Sequence, residues 1–176
     1  MTSLVNDSAP RPNLYLVGLM GTGKSTIGKI LAKKLGMEFM DSDEAIERSS
    51  GRTISEIFAD FGEGHFRELE RKFILYDHPS GNCLVACGGG LCVPPGMLEA
   101  LKGKGKVICL WASPETLLGR TITDKKRPLL EVSKPLDVLR KLLIERESRY
   151  RESDIIIHTD GLSIEEVVER VLADLN

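Results

Sequence analysis

Residues 18 to 26, "GLMGTGKST", combine three glycines with a lysine and hydroxyl side chains, a composition unsuited to a hydrophobic core. The spacing Gly18-x-x-x-x-Gly23-Lys24-Ser25 is that of a loop that wraps phosphate, and it follows an apolar run and precedes an amphipathic one, as such a loop requires. Glycines let the backbone curl so that successive N–H groups face phosphate oxygens. The start of the following helix adds partial positive charge. On this pattern Lys24 reaches the outer phosphates and Ser25 offers its hydroxyl to Mg²⁺. Gly21, Thr22, Gly23 and Thr26 are the remaining nucleotide-binding candidates of the loop. A plain strand-to-helix turn would explain the glycines but not Gly-Lys-Ser at this offset. The implied ligand is a nucleoside triphosphate with Mg²⁺.

Further candidates lie downstream. Asp41 and Asp43 in "MDSDEAIE" leave the carboxyl end of an apolar run, where open α/β sheets place their ligands. One carboxylate there can help hold Mg²⁺ while its neighbour faces an acceptor. Asp41 with Glu44 also reads as a helix capping box, which does not require a second aspartate at 43. In "GEGHFRELERK", Arg67 and Glu70 are three apart on a helix: either a surface ion pair, or Glu70 orienting Arg67 toward an anion. Gly88, Gly89 and Gly90 would admit a ligand close to bare backbone, or simply make a tight turn. "TDKKRPLLE" at 123 to 131 is polar and basic, and Pro128 stops the helix before it. In a kinase such a segment is a flexible lid candidate, with Arg127 able to reach the transferring phosphate; a solvated loop is the alternative. Arg146 sits in "LIERESRY", a helix of alternating charge on which most arginines are merely solvated. No N-K-x-D guanine-reading motif is present and the chain is too short for a motor, which leaves a small kinase or a nucleotide-gated binding module.

These side chains need a frame. Five apolar runs, at 14–18, 38–41, 83–87, 107–111 and 154–158, read as strands of a parallel sheet covered on both faces. Helical patterns alternate with them, which predicts an α/β doubly wound sheet. Ile164, Val167, Val168, Val171, Leu172 and Leu175 form one apolar stripe, started by a Ser163–Glu166 capping box. Thr53 with Glu56, and Ser113 before Pro114, mark two more helix starts, and Gly36 closes the helix after the phosphate loop. The 176 residues fit one domain, and no linker divides them. A net charge of -2 argues against nucleic acid as a partner. The longest apolar run is far short of a membrane span, and residues 1 to 12 carry no export pattern, so a cytoplasmic protein is expected. The four cysteines, Cys83, Cys87, Cys92 and Cys109, have no C-x-x-C spacing and are expected as buried thiols.

Taken together, "GLMGTGKST", "MDSD" followed by "IE", "GEGHFRELE", "CGGG", "RPLL" and "ERESRY" resemble the shikimate kinase family in order and interval, over roughly residues 14 to 172. The resemblance implies a single P-loop kinase domain over 1–176 with a five-stranded parallel sheet. It also implies a substrate-binding segment at about 42–72 and a mobile lid at about 121–134. The implied activity is transfer of the ATP γ-phosphoryl group to the 3-hydroxyl of shikimate, a step in making aromatic amino acids, by a protein that is usually a monomer. By position, Lys24 would stabilise the transferring phosphate, and Ser25 with Asp41 would support Mg²⁺. Asp43 would bind shikimate hydroxyls and is the candidate base. Arg67 and Arg146 would grip the substrate carboxylate, and Gly88, Gly89 and Gly90 would line that pocket. Arg127 would touch phosphate and Arg120 would pack against adenine. The usual D-T-D is D-S-D here, which keeps the hydroxyl, and "HTDGLSIEE" after the fifth strand matches only loosely. A carboxylate beside the acceptor suits a hydroxyl that must lose a proton, and two arginines suit a planar carboxylate. The competing readings are a kinase for another hydroxy acid such as gluconate, and a nucleotide-sensing protein without turnover.

Overall fold

The computed structural model describes residues 11–121 and 134–175. Its strands are β1 (Asn13–Val17), β2 (Glu38–Asp41), β3 (Cys83–Ala86), β4 (Gly105–Trp111) and β5 (Ile155–His158). Its α-helices are α1 (Lys24–Leu35), α2 (Ser42–Ser50), α3 (Ile54–Lys72), α4 (Met97–Lys104), α5 (Pro114–Thr121), α6 (Pro135–Arg151) and α7 (Ile164–Leu175). A π-helical turn, Phe73–Asp77, extends α3. All strand pairs are parallel, in the order β2-β3-β1-β4-β5. This is the five-stranded α/β sheet that the alternation of apolar runs and helical patterns predicts.

Strand residues alternate between two cores, as a pleated backbone requires. Tyr15, Val17, Val85, Val107 and Cys109 pack on one face with residues of α2 to α6. Leu14, Leu16, Leu84, Ile108 and Leu110 pack on the other with α1 and α7. The four cysteines are buried free thiols within this frame. Among the described residues no helix is long and apolar enough to cross a membrane.

Helix boundaries follow the local chemistry. Thr53 and Glu56 form a reciprocal capping box at α3, and Ser163 with Glu166 does the same at α7. Gly36 ends α1 in the left-handed region. Three details depart from the sequence pattern. α3 breaks at Gly62, whose φ of 80° and ψ of 175° are not helical, so the Arg67 segment is its own straight helix. β4 begins at Gly105, two residues before its apolar run, because Gly105 pairs with Asn13 of β1. Ile164 is 43% exposed instead of joining the buried stripe of α7; it borders the cleft described below.

α1 lies very close to the sheet. A Cβ on Gly28 would stand 2.7 Å from the Phe39 ring and 3.1 Å from Leu84. Glycine to alanine inside a helix ordinarily gains up to about 1 kcal/mol. Here overpacking, typically about 1–3 kcal/mol, opposes it. Gly28→Ala is therefore expected to destabilise the fold, measured as a lower midpoint of urea unfolding, and a raised midpoint would show that α1 can lift off the sheet at no cost.

Candidate active site

The parallel register brings the strand ends level. Leu16 of β1 and Asp41 of β2 both pair with Ala86 of β3. The chain leaves all three strands at one edge, into a cleft of about 750 Å³. The phosphate-loop candidates Gly21, Thr22, Gly23, Lys24, Ser25 and Thr26 all line it. Gly23, at φ 93°, starts α1 without any side-chain cap. α1 is also the α-helix among those described whose first turn holds no acidic residue. Its N-terminal N–H groups and dipole are thus left for an anion. The Lys24 ammonium donates to the carbonyls of Gly18 at 2.8 Å and Leu19 at 3.0 Å, which anchors it against the loop. Thr22 is buried and donates its hydroxyl to Leu19 O at 2.9 Å, so its side chain braces the loop from within.

Asp41 has two jobs. Its Oδ1 accepts from the N–H groups of Asp43 and Glu44, capping α2. Its Oδ2 accepts from the Ser25 hydroxyl at 2.7 Å. The cap uses one oxygen of Asp41 and leaves the other on Ser25, so capping does not exclude the functional reading. The Ser25–Asp41 pair is an oxygen set of the sparse kind Mg²⁺ accepts alongside substrate phosphates and water. Among the described residues no three His, Cys, Asp or Glu side chains gather as a ligand set.

Asp43, on the first turn of α2, points to Gly88: a Cβ built there would stand 2.6 Å from its Oδ1. Burial, then the neighbouring Asp41 charge, raises the Asp43 carboxyl above its usual range, and Lys24 opposes them. Ser42, fully buried, accepts the Gly88 N–H at 2.8 Å through Oγ. This is the work of the hydroxyl in D-S-D, which spacing alone does not reveal.

Arg67 is gripped from both sides on α3. It donates to Glu63 at 2.8 Å and to Glu70 at 2.7 Å. Burial disfavours its charge, but the two carboxylates more than reverse this and raise its pKa. Glu70 is only 1% exposed, and its Oε1 has no hydrogen-bond partner among the described residues. Burial pushes Glu70 up to about 7; Arg67 opposes this and Asp43 adds to it. Bare backbone makes the arrangement fit. A Cβ on Gly90 would be 2.7 Å from the Arg67 guanidinium, and one on Gly89 would be 3.5 Å from that of Arg146. The three glycines thus meet Asp43, Arg67 and Arg146 at close range, and the tight-turn reading alone does not account for them.

At the opposite wall Arg120 donates to the hydroxyl and the carbonyl of Thr159, at 3.0 and 2.8 Å. Ser113 Oγ caps α5 by accepting the Thr116 N–H, and Asp160, just after the neighbouring β5, holds that cap by accepting from Ser113 N–H and from the hydroxyls of Ser113 and Thr116. Burial raises Asp160, but these hydrogen bonds outweigh it and hold its pKa below the usual carboxylate value. Leu162 and Ile164 add apolar surface beside Arg120. Thr159, Leu162 and Ile164 are site residues the sequence reading missed. All three lie in the stretch "HTDGLSIEE", where the resembled family contacts adenine, but its loose match named no residue. Arg127 and most of the lid segment lie outside the described residues.

The Glu70 shift has a pH signature. Because its folded pKa is raised, its contribution to stability is fully present below about 4.5 and is lost as pH rises through about 7. Relative to the wild type, Glu70→Gln is therefore expected to gain stability between pH 4.5 and 7 and to stay level above that. Urea unfolding across this range reads the difference, and a constant difference would show that Glu70 is ionised in the fold throughout.

Comparison with known proteins agrees with the geometry. The family model for shikimate kinase matches residues 20–176. The shikimate kinase of Thermodesulfovibrio yellowstonii is 41% identical over 162 residues, covering 92% of this chain and 94% of that one. A solved structure, the shikimate kinase of Acinetobacter baumannii in complex with shikimate, superposes with a TM-score of 0.87 at 40% identity, covering 94% of this chain and 93% of that one. A gluconokinase from Sinorhizobium meliloti, at TM-score 0.59 and 16% identity, shares the fold only. With a phosphate loop, a carboxylate pair and two arginines on one sheet edge, and with this extent of identity, the chain belongs to the shikimate kinase family.

Proposed function

We propose that the chain transfers the γ-phosphoryl group of ATP to the 3-hydroxyl of shikimate, giving shikimate 3-phosphate and ADP. The observation that carries this reading is the cluster around Gly88–Gly90. A raised carboxylate, Asp43, and two guanidiniums, Arg67 and Arg146, meet bare backbone beside the phosphate loop. The carboxylate can position and deprotonate a hydroxyl, and the guanidiniums can bind a planar carboxylate.

In this mechanism the loop N–H groups and the start of α1 hold the triphosphate, and Lys24 turns its ammonium from the loop carbonyls to the outer phosphates. Arg67 and Arg146 hold the substrate acid so that its 3-hydroxyl lies near Asp43. The hydroxyl oxygen forms the new bond to γ-phosphorus, and the bond from that phosphorus to the β,γ-bridging oxygen breaks. ADP leaves, and the hydroxyl proton passes to Asp43. A Mg²⁺ ion held by Ser25 Oγ and Asp41 would neutralise charge on the β- and γ-phosphates. Arg120, fixed by Thr159, lies where it can cover the base. Arg127 is assigned to the transferring phosphate on its sequence position. The sensor reading shares the loop but needs no base beside the acceptor. A gluconate kinase would need the same acid grip, and it is the 40% identity with a shikimate kinase, against 16% with a gluconokinase, that favours shikimate.

ADP release measured with shikimate, with gluconate and with neither tests the assignment. Turnover is expected with shikimate alone, and release independent of the acid would overturn it. Asp43→Asn keeps size and one acceptor oxygen but cannot take a proton. Its kcat is expected to fall by roughly 10²–10⁴, with shikimate affinity nearly intact and the Mg²⁺ requirement retained. Unchanged kcat and affinity would remove Asp43 from the site. Arg67→Ala should raise the KM for shikimate about ten- to a hundred-fold while the KM for ATP moves far less. The opposite pattern would relocate the acid pocket.

A further inference from the structure

The turn Cys87–Val93 satisfies its backbone in an unusual way. Cys87 N–H donates to Leu16 of β1, Leu91 N–H to Gly88 O at 3.0 Å, and Val93 N–H to Gly90 O at 3.1 Å. The Gly89 carbonyl is instead taken by a side chain from α6: the Tyr150 hydroxyl donates to it at 2.5 Å. Tyr150 is 1% exposed and packs edge-on against Trp111, ring centroids 6.4 Å apart at 89°. Burial pushes its phenol far above the usual value, so it is a permanent donor at neutral pH. The Arg146 guanidinium approaches the same glycine, with Nη1 3.5 Å from where a Cβ on Gly89 would stand. Arg146 is one helical turn earlier on α6, so the two side chains share a face.

A peptide unit is planar and trans, so holding the Gly89 C=O also fixes the direction of the Gly90 N–H. Gly90 is the residue that approaches the Arg67 guanidinium most closely among the three glycines. We propose that Tyr150 is a positioning residue for the substrate acid. Its hydroxyl donates to Gly89 and so holds the Gly89–Gly90 peptide where the Arg146 and Arg67 guanidiniums both approach it. This rests on the reading of Arg146 as part of the carboxylate grip. A tyrosine that only filled the core would need no hydroxyl bonded to the backbone that both guanidiniums approach.

Tyr150→Phe removes the hydroxyl and keeps the ring. The KM for shikimate is expected to rise about three- to ten-fold, as loss of one buried hydrogen bond implies, with kcat and the KM for ATP changing less than about two-fold. Combined with Arg146→Ala, the same substitution should add less than it costs alone, because part of what it positions is already gone. Several results would overturn the proposal: a lowered Tm with unchanged kinetic constants, equal losses for both substrates, or full multiplicative effects in the double variant. Should Tyr150→Phe fail to fold, 3-fluorotyrosine placed at position 150 keeps the hydroxyl. Its ¹⁹F resonance is expected to shift more on adding shikimate than on adding ATP, and an unmoved resonance overturns the proposal. A wild-type chain that turns over ATP but not shikimate would overturn the functional reading as well, which separates the two failures.

Discussion

The register that sets both Leu16 and Asp41 opposite Ala86 is the constraint on which the rest of the molecule depends. Side chains alternate along a strand, so a slip of one residue would exchange the two cores and turn Asp41 away from the phosphate loop. Held in this register, three adjacent strands end level, and the residues that follow them share one cleft. Close packing of α1 at Gly28 keeps the loop before it on that edge. The Asp41 carboxylate then ties β2 to the loop through Ser25. The sheet thus acts as a ruler for groups far apart in sequence.

On that ruler the charges are packed more densely than exposed pairs would be. Asp43 and Glu70 are both raised by burial, and the Asp43 charge adds to the shift at Glu70. Arg67 offsets part of it, with a carboxylate on each side. At Glu70 burial wins over the guanidinium, because only one of its oxygens has a partner. The absence of side chains at 88 to 90 makes the cluster possible. Any Cβ at Gly88 or Gly90 would occupy space now held by Asp43, Glu70 or Arg67.

What the sequence could reveal were features written locally. The strands at 83–86 and 38–41, the capping boxes at Thr53 and Ser163, and the glycine end of α1 are each specified by a few neighbouring residues. The phosphate loop and the Arg67–Glu70 pair were legible for the same reason. What was not legible depends on contacts across the fold. Ser42 matters because Gly88, 46 positions away, donates to it. The Tyr150 hydroxyl donates to the carbonyl of Gly89, 61 positions away, a contact no local pattern announces. Gly62 breaks α3 although the apolar pattern runs straight through it, since periodicity does not register a single left-handed residue. Ile164 has the spacing of a core residue but borders the cleft, because the stripe of α7 begins beyond the edge of the sheet.

The same charge arrangement bears on which acids the cleft can accept. Arg67 already faces Glu63 and Glu70, and Asp43 and Glu70 both face Gly88. A phosphate dianion placed there would add about two negative charges to a region where burial already pushes carboxyls toward protonation. A carboxylate adds one, and its two oxygens match the planar fork of a guanidinium. Arg146, approaching from α6, supplies a second cation on the side of Gly89, away from the Glu63–Glu70 clamp on α3. Electrostatics in the acceptor half of the cleft therefore favour a singly charged acid with hydroxyls over a phosphorylated one. The reverse holds a few residues away, where α1 presents an uncapped N-terminus with no acid in its first turn. On the proposed reading, the start of α1 attracts phosphate and the cluster at Gly88–Gly90 resists it, which would keep donor and acceptor from exchanging places.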